Sequence, residues 1–325
     1  ERPKRVYTTG ACTTRSYSRS KQGAKGDFYH TYGAIVVEVL GPKRALVRQI
    51  GLHGDSFYDV AGGVVTRYTP GGPSRTDKAV TLTLGDEHVG HIPPAVKRAT
   101  AGMVERLRPR YIVRHDVLDG YAGSHHHRKN PLVSFAKHHK RTDDYAAELD
   151  AVVRHLNRTT PEWATTVMVA SNHHDHLTQW INSTNVNEDH RNALILAELQ
   201  FHVRAALLAG EPCDPLYLYC KSRLTAHVKW LGRDEKFMVR GVDHSQHGDV
   251  GANGGRGSPK TYAQSTYKMT VGHSHSPSIE KGCYTVGKST GRLEYERGLS
   301  THAQAHCVLY PDGKRSLLDI DRGVW

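Results

Sequence analysis

The chain has 325 residues, enough for one large or two ordinary domains with a substantial core, and it begins at Glu1 rather than Met, as a piece trimmed from something longer would. It carries 44 Lys+Arg against 32 Asp+Glu, a net +12 with histidine neutral, and a field of that sign attracts polyanions. No apolar run approaches the roughly 18 residues of a membrane span, no secretory signal is visible, and five scattered cysteines (Cys12, Cys213, Cys220, Cys283, Cys307) exclude a C-x-x-C zinc site and argue against a disulfide framework, which points to a reducing cytoplasm.

In chain order, residues 1–29 are basic and rich in Ser, Thr and Gly, which predicts an extended arm. HTYGAIVVEVL (30–40), the turn GPKR and ALVRQIG (45–51) predict a β-hairpin, whose simplest role is to shield a sheet edge. TPGGPSRTD (69–77) marks a boundary, dividing the chain into a 1–75 extension and a 76–325 main domain. Beyond it, apolar strands alternate with helices. The strands are AVTLTL (79–84), RYIVR (110–114), TTVMVA (165–170), KFMVRGV (236–242) and YKMTVG (267–272); the helices include 94–107, 144–157 and an amphipathic stretch at 192–210. After residue 282 the pattern is all-β: CYTVG, LEYERG, then HCVLY and SLLDI around a PDG turn. The expected architecture is an α/β sandwich of mixed sheets.

Each of the five strands runs into side chains that bind metals. AVTLTL leads to Asp86 and His88, RYIVR to Asp116 and Asp119, TTVMVA to Asn172 and His173, KFMVRGV to His244 and His247, and YKMTVG to His273 and His275. Strand ends in an open α/β sheet converge on one rim, where ligands bind, so five neighbouring strands would gather these groups in one pocket. Carboxylate and amide oxygens mixed with imidazoles, without thiolate, suit Mn²⁺, Fe or Zn better than Ca²⁺. Any one of these histidines alone is better read as a hydrogen-bonded structural or surface residue; the ordered set favours metal ligation.

The ordered set D-x-H, D-x-x-D, N-H, H, G-H-x-H between about residues 80 and 276 resembles the calcineurin-like metallophosphoesterases, whose fold is a sandwich of two mixed β-sheets flanked by helices. QHGDVGANGGRGSPK (246–260), GHSHSPSIEKGCYTVG (272–287) and the C-terminal HCVLYPDGKRSLL look like a phage branch of that family associated with early degradation of host DNA. The resemblance implies two divalent ions, Mn²⁺ foremost with Fe, Zn or Mg as alternatives. Asp86, His88 and His275 would bind the first, Asn172, His247 and His273 the second, and Asp116 would bridge them. His173 would act as the general acid, and Asp119 would accept a hydrogen bond from it and raise its pKa. His115 and Ser171 stand where the family has glycine, and His174 where an acid often follows the N-H pair. At the fourth motif His244 lies nearer the strand, but His247 matches the family's H-G pair better.

The activity implied is a DNase that cleaves phosphodiester bonds with a metal-activated hydroxide, in the cytoplasm of a host cell, on a DNA partner expected to be duplex; a homo-oligomer is also open. Arg256 and Lys260, in the Gly-rich loop 248–260, would reach the phosphodiester. The basic run HHHRKNPLVSFAKHHKR (125–141) reads as a solvated lid or DNA-contacting loop. Rival readings are a phosphatase or small-molecule phosphodiesterase on the same scaffold, a non-catalytic nucleic-acid-binding regulator, and a structural metalloprotein.

Overall fold

The computed structural model describes residues 4–325 apart from Asp77, His125, His126, Arg128 and Lys129, so most of the triple histidine at 125–127 lies outside the described residues. The N-terminal arm contains a helix, α1 (Lys21–Tyr29), where the composition had suggested only extended chain; Ser20 caps it through its hydroxyl. The expected hairpin forms as β1 (Gly33–Gly41) and β2 (Arg44–Gly51). A small meander follows, β3 (Phe57–Asp59), β4 (Thr66–Thr69) and β5 (Gly72–Arg75). The Pro-Gly pair at 70–71, taken from sequence as part of a boundary, is the turn between β4 and β5.

The main sheet is built from β6 (Thr81–Thr83), β7 (Tyr111–Arg114), β8 (Thr165–Val169) and β9 (Val228–Leu231), all parallel. Between these strands come α2 (Pro94–Leu107), α3 (Pro131–Lys140), α4 (Tyr145–Thr159), α5 (Asn172–Ser183), α6 (Ala193–Ala209) and α7 (Pro215–Cys220). A second sheet uses β10 (Met238–Val239) and β11 (Val242–Asp243). After α8 (Pro259–Tyr262) it continues with β12 (Lys268–Val271), β13 (Ser278–Glu280) and β14 (Cys283–Thr285), in the order β10-β11-β12-β14-β13. The final hairpin, β15 (Ala305–Leu309) and β16 (Arg315–Asp319), returns to the main sheet, whose order is β16-β15-β6-β7-β8-β9.

Period-2 alternation decides which way each strand faces. Leu82, Ile112 and Met168 point into apolar clusters under the helices, with Met103 and Leu107 of α2 and Leu149 and Leu156 of α4. Val113, Val167 and Val169 lie on the opposite face beside Phe237, where Thr83 Oγ1 meets His244 Nδ1 at 3.1 Å. Arg315 of β16 ties the two sheets together, donating to Thr270 Oγ1 at 3.1 Å and to the Gly282 carbonyl at 2.7 Å. The protein is thus an α/β fold of mixed sheets flanked by helices. Tyr58, Val60 and Val65, from the meander, belong to the same apolar cluster as Leu82 and Met103. β2 lies against β16, where Ser316 Oγ donates to the Gln49 carbonyl at 2.8 Å, so the hairpin does cover that sheet edge.

Three expectations need correcting. The five motif-bearing strands are not neighbours in one sheet: β6, β7 and β8 belong to the main sheet, β11 and β12 to the second. KFMVRGV is not one strand either. Arg240 (φ 50°) and Gly241 (φ 74°) are both left-handed, the signature of a two-residue hairpin turn that sends β11 back along β10. LEYERG forms no strand, but a turn and loop held by Glu296 N–H to the Leu293 carbonyl. The helix predicted at 192–210 is present as α6, though Leu194, Phe201 and Leu208 on its outer side are exposed. Among the described residues no helix is long and apolar enough to cross a membrane. All five cysteines are free thiols, and burial pushes those of Cys220 and Cys307 up to about 12.

Candidate metal centre

The two sheets lie face to face, Thr83 against His244 and Arg315 against Thr270, and their chains come together where β6 runs out. Asp86 pairs with Lys288, which follows β14, and so lies at the junction of both sheets. The carboxyl ends of β6, β7 and β8 and of β11 and β12 therefore open onto a common hollow. Short strands followed at once by polar residues produce this arrangement, because the chain leaves each sheet at the same rim.

One ligand atom from each of Asp86, His88, Asp116 and His275 lies within 4.8 Å of the others. Asp86, His88 and Asp116 are fully buried and His275 nearly so. Asp86 Oδ2 is 3.1 Å from His275 Nε2 and accepts the His273 backbone N–H at 2.9 Å. His88 Nε2 is 3.4 Å from His275 Nε2 and 3.8 Å from Asp116 Oδ2. On the other side of Asp116, His247 Nε2 stands 3.2 Å from Oδ2, and the rings of His247 and His273 are 5.2 Å apart. Asn172 opens α5, and its Oδ1 is buried without a hydrogen-bond partner, as are Asp86 Oδ1 and Asp116 Oδ1. Buried oxygens are rarely left unsatisfied. Those of Asp86 and Asp116, beside the imidazoles of His88, His247 and His275, form a donor set that fits a hard or borderline cation.

Electrostatically the carboxylates and imidazoles of this cluster pair with one another. Burial alone would raise both carboxyls; His275 beside Asp86 and His247 beside Asp116 outweigh it and hold both below the usual carboxylate range. Burial would likewise depress His247, but the charge of Asp116 holds it up at about 9. The backbone is strained where the ligands sit. His88 (φ 38°), Asp116 (φ 44°), His273 (φ 68°) and His275 (φ 57°) are all left-handed, a conformation that non-glycine residues adopt at a cost.

The bulky His115 is accommodated in full burial with its Nδ1 3.4 Å from His247 Nδ1. Ser171 is the N-cap of α5, its hydroxyl accepting the His174 N–H at 3.4 Å. His115, His174 and His244 are driven down by burial to about 4, 3 and 3, and are neutral structural histidines. His244 bonds Thr83 while His247 meets Asp116, so the geometry brings His247 rather than His244 to the centre.

His173 differs from its expected pairing. Its Nδ1 lies 2.6 Å from the Asp119 backbone carbonyl, which can only accept, so Nδ1 carries a proton. The Asp119 carboxylate is 3.7 Å from that nitrogen and instead takes Nδ1 of His88 at 2.7 Å. Asp119 therefore orients His88, leaving His88 Nε2 aimed at Asp116 and His275. Opposed by burial but favoured by this bond, Asp119 is held at about 2.

Beside the centre a cleft of about 590 Å³ is lined by His273, His275, Arg256, Ser258, Tyr295 and His302, among others. Arg256 thus reaches the cleft as expected, whereas Lys260, exposed on α8, is not part of its wall. Several neighbours carried no readable signal. Glu87, between two ligands, is buried against Arg114 at 2.8 Å and His155 at 2.9 Å. Only its position in GDEH, alternating with Asp86 and His88, hinted that it points away from them. Tyr295, Glu296 and Lys288 lie in segments with no metal-binding pattern.

Compared with known proteins, the chain is 30% identical to Protein A1 of Escherichia phage T5 over 336 aligned residues, covering 98% of this chain and 59% of that protein. The likeness relates the chain to a phage protein, of which it spans about three fifths of the length. No family model and no solved structure matches.

Proposed function

We propose that the chain is a dinuclear metal-dependent phosphodiesterase of the calcineurin-like kind, a nuclease acting on DNA in the cytoplasm of a host cell. The observation that carries this reading is the meeting of Asp86, His88, Asp116 and His275 within 4.8 Å, with buried unpartnered oxygens on Asp86 and Asp116. Asp86, His88 and His275 would hold one cation, Asn172, His247 and His273 a second, with Asp116 between them. Two such ions, Mn²⁺ foremost, would supply charge stabilisation at phosphorus and an activated water.

The residues around them do the rest. Asp119 fixes the ring of His88, and with it the direction of the Nε2 lone pair. His173, held through Nδ1 and about 15% exposed, has Nε2 left to exchange a proton with the leaving oxygen. Arg256, on the cleft wall, offers a positive charge to the phosphodiester. DNA is favoured over a small phosphate ester by the net +12 and by the relation to a phage protein.

The test is metal analysis of the purified protein coupled to cleavage of a labelled duplex, with plasmid, a diester dye and a monoester dye compared in parallel. The proposal expects bound metal, diester cleavage and loss of both on chelation. Preference for the monoester would favour a phosphatase, and metal-independent DNA binding without cleavage a regulator.

A further inference from the structure

Residues 293–302 (LEYERGLSTH) run between β14 and β15 without strand or helix and fold over the two histidines that flank the first cation position. Tyr295 Oη donates to Asp119 Oδ1 at 3.2 Å, the oxygen that also takes His88 Nδ1. Its neighbour Glu296 has Oε1 2.5 Å from Lys288 Nζ, 3.2 Å from His302 Nδ1 and 3.8 Å from His275 Nδ1. The side chain is 9% exposed, and Oε2 is buried with no hydrogen-bond partner.

His275 therefore stands as the counterpart of His88. The Nε2 atom of each faces the acidic cluster, and the Nδ1 atom of each faces a carboxylate. For His88 that carboxylate is already bonded; for His275 it waits at 3.8 Å, beyond hydrogen-bond range, with a free buried oxygen. We propose that Glu296 is a positioning residue for the metal centre, holding the Nδ1–H of His275 as Asp119 holds that of His88, and closing the 3.8 Å gap when His275 engages a cation. This rests on the metal-centre reading above.

The chemistry requires such a partner, because an imidazole presents one nitrogen to a cation reliably only when the other is held as N–H, and a carboxylate there also makes the ligand more basic. A separate cation held by His275, Glu296 and His302 is disfavoured by Lys288, whose ammonium already occupies Glu296 Oε1. A purely structural Lys288–Glu296 pair would account for Oε1 and leave Oε2 unexplained.

The experiment titrates Mn²⁺ into metal-depleted full-length chain by calorimetry, comparing wild type with Glu296→Gln, Lys288→Met and the double variant, and records Co²⁺ absorption spectra of each. Glu296→Gln is expected to lose roughly 10- to 100-fold in affinity at one of the two sites and to change the cobalt spectrum. Lys288→Met should keep wild-type affinity, and the double variant should stay as weak as Glu296→Gln. Wild-type affinity in Glu296→Gln, or recovery in the double variant, would overturn the proposal by reducing Glu296 to a partner of Lys288. Should Glu296→Gln not fold, Glu296→Asp replaces it, and unchanged affinity there overturns the proposal equally. No Mn²⁺ uptake by the wild type would instead overturn the metal-centre reading itself.

Discussion

A single methyl group at Gly272 tests the centre without replacing any ligand. Gly272 links β12 to His273, and a Cβ built on it would lie 2.3 Å from Asp86 Oδ1 and 3.0 Å from His115 Cγ. Ordinary contact starts at 3.4 Å, so the carboxylate would have to retreat by about 1 Å. Retreat is obstructed, because Oδ2 of the same group is held by the His273 N–H and faces His275. The backbone at Gly272 is not left-handed, so alanine brings no conformational penalty of its own, and the cost falls on the geometry of Asp86. Displacing a catalytic group by that much costs on the order of 100-fold in rate, and overpacking of this kind about 1–3 kcal/mol in stability. Gly272→Ala should therefore fold, melt slightly lower, lose metal from the Asp86 site and cleave a diester dye about a hundredfold more slowly. Metal content by mass spectrometry and turnover on the same preparation check it. Wild-type values for both would refute the argument that Asp86 Oδ1 belongs to the centre.

Replacing His173 with alanine should leave both metals in place while lowering turnover by roughly 10²- to 10⁴-fold, read by comparing metal content with kcat. Chelation should abolish diester cleavage and Mn²⁺ restore it, measured by a stepwise add-back series. Arg48 and Asp59 form a buried pair, Nη2 to Oδ2 at 2.8 Å, joining β2 to β3. Asp59→Asn leaves that guanidinium with Glu38 alone, 2.9 Å away, and should cost on the order of 2 kcal/mol by denaturant titration, with metal binding unchanged. Glu148 accepts the N–H groups of Gly120 at 2.6 Å and Ala122 at 3.1 Å, yet burial and then nearby Asp119 push it up from 4.5 to about 7. The fold therefore binds this proton more tightly than the unfolded chain does. Its contribution is full below about pH 4.5 and lost as pH rises through 7, so Glu148→Gln should flatten the melting temperature across that window.

Much of the centre was legible because its signals are local. An apolar β-branched run followed at once by Asp, Asn or His marks a strand that ends beside candidate ligands, and Asp86, His88, Asp116 and His275, which the structure brings together, were candidates on that ground. The helix at 94–107 was equally plain, with Pro94 at its first position and apolar residues on one face. The Arg240–Gly241 turn was not, because a charged residue and a glycine inside an apolar run read as strand interior until their dihedrals are known.

Tertiary structure alone decided which groups touch. Two histidines, 88 and 173, were within reach of Asp119 in principle, and only the folded backbone decided that the carboxylate takes His88 while the carbonyl takes His173. Tyr295 and Glu296 come from LEYERG, whose pattern reads as a strand, and only the folded loop brings them to Asp119 and His275. Composition and period determine where strands end and what chemistry follows them. The pairing of side chains beyond those ends depends on how two separate sheets pack, and no short window of sequence contains that information.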